Sequence, residues 1–353
     1  MKTPSTRSGP RRLLAITAVG ALALAAAVSS SQASTSRSTA GSLTGAGSTL
    51  VYPLVSQWGA DYQSSAGVGI TYGAIGSGAG IAQITARTVD FGASDAPMTP
   101  DQASKANGVL QIPWALAATV VSYNVPGVKS HIKLTGSMLA NIYLGQITNW
   151  NDPKIKKLNP KAPLPDLKIT PVFRSDGSGD TFVFTDYLTQ VSQPWRANVG
   201  NATQVQFPTG VGAKGNDGVA GVIKSTSGAI GYVSLSYDFA NGLQFALLRN
   251  AAGQFPAPSI ASISEAAKSV GNVPASNSIS IVNPPKTFPK AYPMSTFTYA
   301  LVPAKSSKAD VLKPFLTYAI TTGQKVGAKL AFAPLPAKIL NIDKATIAKI
   351  NAG

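Results

Sequence analysis

The chain has 353 residues and a formal net charge of +16, with 44% apolar and 12% charged residues, the composition of a globular chain long enough for one large domain or two ordinary ones. It holds no Cys, a single His (His131) and fourteen acids, all Asp except Glu265. Zinc sites, thiol nucleophiles, disulfides and Cys or paired-His haem ligation are therefore excluded. A Ser-His-Asp triad would have to run through His131, and no GxSxG elbow accompanies it. The polar chemistry rests on hydroxyls, backbone amides, Asp and Arg.

In chain order, Lys2, Arg7, Arg11 and Arg12 precede an apolar run, Leu13 to Val28, and the small residues around Ser31-Gln32-Ala33. A basic start, a short apolar stretch and a small-x-small site predict a secretory signal over residues 1–33, cleaved near Ala33. The run falls short of the roughly 20 residues that a spanning helix needs. No Cys follows it, so a lipid anchor is not expected, and the protein is placed in the periplasm, outside the cell or at the cell surface. Removal of the signal leaves +12, a charge that attracts anions. The Lys residues are scattered, with mild clustering at Lys154–Lys157 and Lys161 and no basic-aromatic stripe, so nucleic acid is not expected as a partner.

Residues 34–41 read as a Ser/Thr-rich linker. Short apolar strands then alternate with helical patterns, which predicts βαβ units on mostly parallel sheets. The strands are expected at 68–72, 91–93, 119–123, 169–173, 230–233, 278–282 and 297–302. Helices are expected at 51–62, 80–86, 136–144, 182–188, 217–225 and 308–322. Two Pro-marked places interrupt the alternation: Tyr123-Asn124-Val125-Pro126-Gly127, and Asn283-Pro284-Pro285 through Tyr292-Pro293. Each follows a predicted strand, as a crossing between lobes would.

Three segments share one design, in which small residues with Ser or Thr lead into a helix. They are Gly45-Ala46-Gly47-Ser48-Thr49-Leu50, Gly76-Ser77-Gly78-Ala79-Gly80, and Arg174-Ser175-Asp176-Gly177-Ser178-Gly179-Asp180-Thr181. A helix start offers free N–H groups and a partial positive charge, and Gly admits a ligand to the backbone. One such turn is an ordinary cap. Three of them, one with an Arg, point to an oxyanion site.

These residues carry a family resemblance. Gly45–Leu50, Ile75–Gly80, the run Thr88-Val89-Asp90-Phe91-Gly92-Ala93-Ser94-Asp95-Ala96-Pro97 and Arg174–Thr181 resemble the periplasmic phosphate-binding proteins that feed the bacterial phosphate ABC transporter (PstS-like). Ile142–Ile147 with Trp150, Lys214–Val219 and Gly228–Val233 match as well, so the likeness runs from about Leu43 to Tyr237 and more loosely to Leu335. The resemblance implies an α/β, two-lobed type II periplasmic binding protein fold: mixed, mostly parallel sheets flanked by helices, with two hinge crossovers. One lobe would comprise 42–124 and 286–353, the other 125–285. It further implies a monomer that encloses inorganic phosphate and passes it to a membrane permease, without cofactor, metal or catalytic residue. Residue by residue, Thr49, Leu50 and Ser77 would supply backbone and hydroxyl donors. Arg174, oriented by Asp176, would supply its guanidinium, and Ser178, Gly179 and Asp180 the third helix start. Asp95 would be the carboxylate against the ligand.

A carboxylate beside an anion makes sense once the ligand proton is counted. Phosphate near neutral pH keeps an O–H that needs an acceptor, and a carboxylate accepts without donating. Sulfate brings no proton, and a site built for a ligand hydroxyl can reject an analogue lacking it by roughly 10⁴–10⁵. Asp90 reads as structural and His131 as an exposed loop residue. Asp180 departs from the family pattern, in which many relatives carry Thr. Either it caps its helix by accepting from Phe182 or Val183, or it faces the ligand as a second acceptor. The rival functions are a receptor for another tetrahedral oxyanion, a secreted phosphatase-like enzyme, and a wall or adhesion protein that keeps the fold without the site.

Overall fold

The computed structural model describes residues 41–353, so the signal expected over 1–33 and the linker up to residue 40 lie outside the described residues. The first described element is a strand that the sequence reading did not assign, β1 (Ser42–Gly47). Its Leu43 is buried, and its glycines let the backbone lie flat on a neighbour. A Cβ at Gly45 would fall 2.1 Å from the Phe91 ring, so only Gly fits there. Helix α1 (Tyr52–Ala66) has Pro at its start, Gly67 in the left-handed conformation at its end, and Leu54, Val55, Trp58 and Tyr62 on the buried face. This is the helical period the sequence displays. Strand β2 (Gly69–Ala74), helix α2 (Ser77–Thr85), strand β3 (Phe91–Ser94) and helix α3 (Pro100–Ala106) follow. Strand β4 then runs for fifteen residues, Val109–Tyr123.

The middle of the chain holds β5 (Lys133–Leu134), α4 (Gly136–Tyr143), α5 (Pro153–Leu158), β6 (Thr170–Arg174), α6 (Gly179–Val191) and α7 (Gln193–Asn198). After these come β7 (Val211–Ala213), α8 (Gly215–Ser225), β8 (Ala229–Ser234), α9 (Leu235–Asn241), β9 (Gln244–Phe245), β10 (Leu247–Leu248) and α10 (Ile260–Ala267). The last elements are β11 (Ser295–Pro303), α11 (Ala309–Ile320), a 3₁₀ helix (Thr322–Leu330) and α12 (Ala337–Ala348). No described helix is long and apolar enough to cross a membrane.

The main sheet has the order β2-β1-β3-β11-β4-β8-β6-β7. It is parallel at both ends, where β1 pairs with β2 and β3 and β6 pairs with β7 and β8. It is antiparallel in the middle, where β11 meets β3 and β4, and β4 meets β8. This is the expected mixed α/β architecture flanked by helices. β4 belongs to both ends: it pairs with β11 up to Ala118 and with β8 from Thr119. The change of partner falls inside the strand, ahead of the Pro-marked turn at Tyr123–Gly127. The returning chain crosses beside it, where the Thr119 amide donates to the Met294 carbonyl at 3.0 Å.

Residues 278–282 are not a strand. Asn277 has φ +56, and the Tyr299 hydroxyl takes the place of a strand neighbour, accepting from the Ile279 amide and donating to the Ile279 carbonyl. The core has two parts. One gathers Leu43, Trp58, Phe91, Trp114 and Phe315 around β1, α1 and α11, with Trp58 edge-on to Trp114 at 5.3 Å. The other surrounds the β6–β8 end and includes Tyr143, Trp150, Phe184 and Tyr232.

Candidate functional site

The polar residues of interest leave the carboxyl ends of five strands, the place where open α/β sheets form their crevices. β1 delivers Ser48 and Thr49, β2 leads to Ser77, β3 to Asp95, β6 to Arg174 and the loop 175–179, and β7 to Gly215 and Asn216. The loops open α1, α2, α6 and α8, so four helix starts lie around one cluster. The sequence reading anticipated the first three.

The Asp95 side chain is buried and surrounded by hydroxyls. Ser48 Oγ lies 2.6 Å from both carboxylate oxygens, and Ser77 Oγ donates to Oδ2 at 3.4 Å. Ser77 Oγ also accepts from the Asp95 and Gly179 amides, at 3.2 and 3.1 Å. Gly179 must be Gly, because a Cβ would stand 2.4 Å from the Asp95 side chain. Burial first, then the charge of Asp180, push the Asp95 carboxyl up to about 7, against the pull of the Ser48 and Thr298 hydroxyls and of Arg174.

Arg174 is almost wholly enclosed. Its Nε donates to Asp176 Oδ1 at 2.8 Å, its Nη2 to Asp176 Oδ2 at 2.5 Å and its Nη1 to Asp180 Oδ2 at 3.2 Å. Asp176 thus meets the guanidinium side-on through both of its oxygens. Burial pushes the Asp176 carboxyl up, but the Arg174 fork outweighs it and holds it below the ordinary carboxylate range. The Gly215 amide adds a bond to Asp176 Oδ1 at 3.0 Å. The Tyr232 hydroxyl, stacked in the core on Phe184, accepts from the Arg174 amide and pairs with Thr181 Oγ1.

Asp180 does not cap its helix. Ser178 is the cap, its Oγ accepting from the Thr181 amide at 3.3 Å. The Asp180 carboxylate turns inward and accepts from Thr119 Oγ1 at 2.6 Å, Asn216 Nδ2 at 2.7 Å and Arg174 Nη1. Three donors already hold it, so it is not an acceptor free of competing donors. Burial nonetheless pushes its carboxyl up, against the pull of Arg174, Thr119 and Asn216.

Three backbone donors inferred by resemblance are engaged within the protein, the Gly179 amide with Ser77 Oγ as above. The Leu50 amide donates to Ser48 Oγ at 3.0 Å and the Ser178 amide to the Thr203 carbonyl at 2.8 Å. Thr49 Oγ1 accepts from Asn216 Nδ2 at 2.9 Å. The structure therefore gathers these residues in two hydrogen-bonded sets, Ser77, Asp95 and Gly179 in one and Thr49, Arg174, Asp176 and Asp180 in the other, with Leu50 and Ser178 at their edge. Sequence reasoning missed Ser48, Thr119, Asn216 and Thr298. Ser48 and Asn216 sit in segments already singled out, whereas Thr119 and Thr298 lie in apolar strand runs that gave no signal. Asp90 is structural, accepting from the Thr44 amide and from Lys308 Nζ. His131 is exposed and stacks on Phe245.

Comparison with known proteins supplies the frame for this cluster. The profile of a PBP superfamily domain matches residues 32–322. The phosphate-binding protein PstS of Xylella fastidiosa (strain Temecula1) is 42% identical over 304 residues, covering 84% of this chain and 82% of its own length. PstS of Haemophilus influenzae is 38% identical, covering 86% of this chain and 92% of its own length. Among solved structures, a high-affinity periplasmic phosphate-binding protein with bound phosphate superposes with a TM-score of 0.70 at 20% identity, covering 86% of this chain and 93% of that one. An ABC-type phosphate transport receptor from Vibrio cholerae gives 0.55 at 18% identity over 83% of this chain and 100% of that one. By its sequence and its fold, the chain belongs to the PstS phosphate-binding proteins of the PBP superfamily.

Proposed function

We propose that the chain is an extracytoplasmic receptor that captures inorganic phosphate and delivers it to the membrane permease of a phosphate ABC transporter. The observation that carries this reading is the setting of Asp95: one buried acceptor ringed by Ser48 and Ser77, beside the Arg174 fork and four helix starts. Donors of this kind hold the oxygens of a tetrahedral anion, and a lone acceptor among them selects an anion that keeps a proton. Thr49, Ser77, Asp95, Arg174 and Gly179 are the proposed contacts, Leu50 and Ser178 contribute at the edge, and Asp176 and Asp180 hold Arg174. The half built on β1–β3 and β11 and the half built on β6–β8 act as two lobes, closing on the ligand about the paired crossings at Ala118–Thr119 and Met294–Ser295. The protein works as an exported monomer, with no nucleic acid as a partner.

The site binds its ligand and does not transform it. Phosphoryl transfer asks for a nucleophile with a base, or a metal cluster, and the relatives are binding proteins by name. Calorimetric titration with phosphate, arsenate and sulfate tests the reading. Phosphate and arsenate bind tightly and sulfate gives no heat at matching concentrations; sulfate within tenfold of phosphate overturns the assignment of Asp95. Turnover of p-nitrophenyl phosphate above background, with divalent metals added, would favour the enzyme instead.

A further inference from the structure

Asn216 is the second residue of α8 and is wholly buried. Its amide orientation is fixed by its surroundings. The Ser234 backbone amide, which can only donate, lies 2.7 Å from Oδ1, so the NH₂ group points the other way. There its two N–H groups meet two acceptors, Thr49 Oγ1 at 2.9 Å and Asp180 Oδ2 at 2.7 Å. Every hydrogen-bonding atom placed inward by Asn216 is thus used. Asp180, Ser234 and Asn216 itself belong to the β6–β8 half, whereas Thr49 leaves β1 in the other half. The remaining bonds between these loops run through the backbone of glycines, from the Gly78 amide to the Gly177 carbonyl at 3.0 Å and from the Gly179 amide to Ser77 Oγ. The Asn216 side chain ties Thr49 of one half directly to the carboxylate that holds Arg174 in the other.

We propose that Asn216 is a positioning residue that latches the two halves together and sets how fast phosphate leaves. The inference rests on the phosphate reading above. Ligand-free molecules divide between closed and open arrangements, and capture takes place from the open one, in which the Asn216–Thr49 bond is not made, so with half or more of them open its loss changes association by no more than about twofold. Release requires breaking it. The loss of Asn216 therefore falls on dissociation, as most changes within one interface do. The bond to Asp180 stays within one half and survives opening, so Arg174 remains held while the latch works.

The test measures association and dissociation of radiolabelled inorganic phosphate by rapid filtration, for the wild type, Asn216→Ala, Thr49→Val and the double variant. Asn216→Ala speeds release about tenfold, the size of one typical buried hydrogen bond, with association within about twofold. The double variant releases no faster than the faster single variant. Multiplying effects, or a loss confined to association, overturn the latch. Asn216→Asp keeps an acceptor for the Ser234 amide while removing both N–H donors, so it separates the latch from a purely structural role: wild-type release from a folded Asn216→Asp protein overturns the proposal. Small-angle scattering without ligand supplies an independent arm, in which Asn216→Ala has a larger radius of gyration than the wild type. If the wild type binds no phosphate, the receptor reading fails, and scattering alone decides the latch. Identical curves then reject it.

Discussion

Arg174 and Asp176 stand two residues apart in the chain and meet side-on, with Nε 2.8 Å from Oδ1 and Nη2 2.5 Å from Oδ2. A planar fork engages a carboxylate in this way and an ammonium cannot. Arg174→Ala is expected to weaken phosphate binding by about 2–5 kcal/mol, the usual cost of truncating one member of a buried charged pair. Arg174→Lys should recover only part of the loss, because a point charge cannot serve Asp176, Asp180 and the ligand together. Calorimetry on both variants checks this, and a loss under about 1 kcal/mol for Arg174→Ala would place the guanidinium outside the phosphate contacts.

Asp95→Asn replaces an acceptor-only group with one that also donates. The phosphate proton then has a weaker partner, while sulfate no longer meets a like charge. The preference for phosphate over sulfate should narrow by about 100-fold or more from the 10⁴–10⁵ that such a site can reach. Competition of sulfate against bound phosphate measures it, and an unchanged ratio would remove Asp95 from the ligand.

Asp180 raises the Asp95 carboxyl through its charge, second only to burial. Asp180→Thr removes that charge, so the Asp95 midpoint should fall from about 7 toward the ordinary carboxylate range. The same change should improve binding of dibasic phosphate at pH 8.5, where like charges at the site oppose it most. Carboxyl ¹³C NMR of the free protein and titration at pH 6 and 8.5 test the two statements separately. A midpoint that stays near 7 would show that burial alone sets it.

Asp343 lies in α12, is 0% exposed, and neither carboxylate oxygen has a hydrogen-bond partner among the described residues. Burial pushes its carboxyl up to about 9. The fold therefore prefers the protonated form. The cost of keeping it protonated is absent below the ordinary value near 4, grows as pH rises, and stops growing above about 9. Asp343→Leu should raise the melting temperature more at pH 9 than at pH 5. Thermal melts at the two pH values decide the matter, and equal shifts would mean that Asp343 has a partner in solution.

The legible parts of this chain were those whose cause is local. The helical period of Leu54, Val55, Trp58 and Tyr62 announced α1, and the Gly/Ser turns announced three of the four helix starts. What escaped depends on partners distant in sequence. β1 looks like a linker running into a Gly-rich turn until Phe91 lies across Gly45. The first part of β4 contains Pro113, which argues against a strand. It is tolerated because the pairing with β11 shifts register between Thr298 and Tyr299, beside Pro113, where a missing N–H costs little. Residues 278–282 have a strand composition, but Tyr299 bonds to their backbone instead. In the site, the motif residues were found because turn chemistry is local, whereas Thr119 and Thr298 became polar neighbours of Asp180 and Asp95 only through the sheet order.

The seating of β11 between β3 and β4 has a kinetic consequence. Both neighbours are complete early in the chain, yet the strand that joins them arrives only at residues 295–303, after every strand of the other end. Until then β3 and the first part of β4 are open edges, and the core around Trp114 lacks one wall. Such long-range closure makes folding slow. On the proposed export route, in which the chain is threaded across a membrane before it folds, the delay is useful, because the main sheet cannot be completed from an incomplete chain. It also leaves two adhesive edges exposed in the meantime, so refolding yield should depend on protein concentration, whereas the unfolding rate of the finished protein should not.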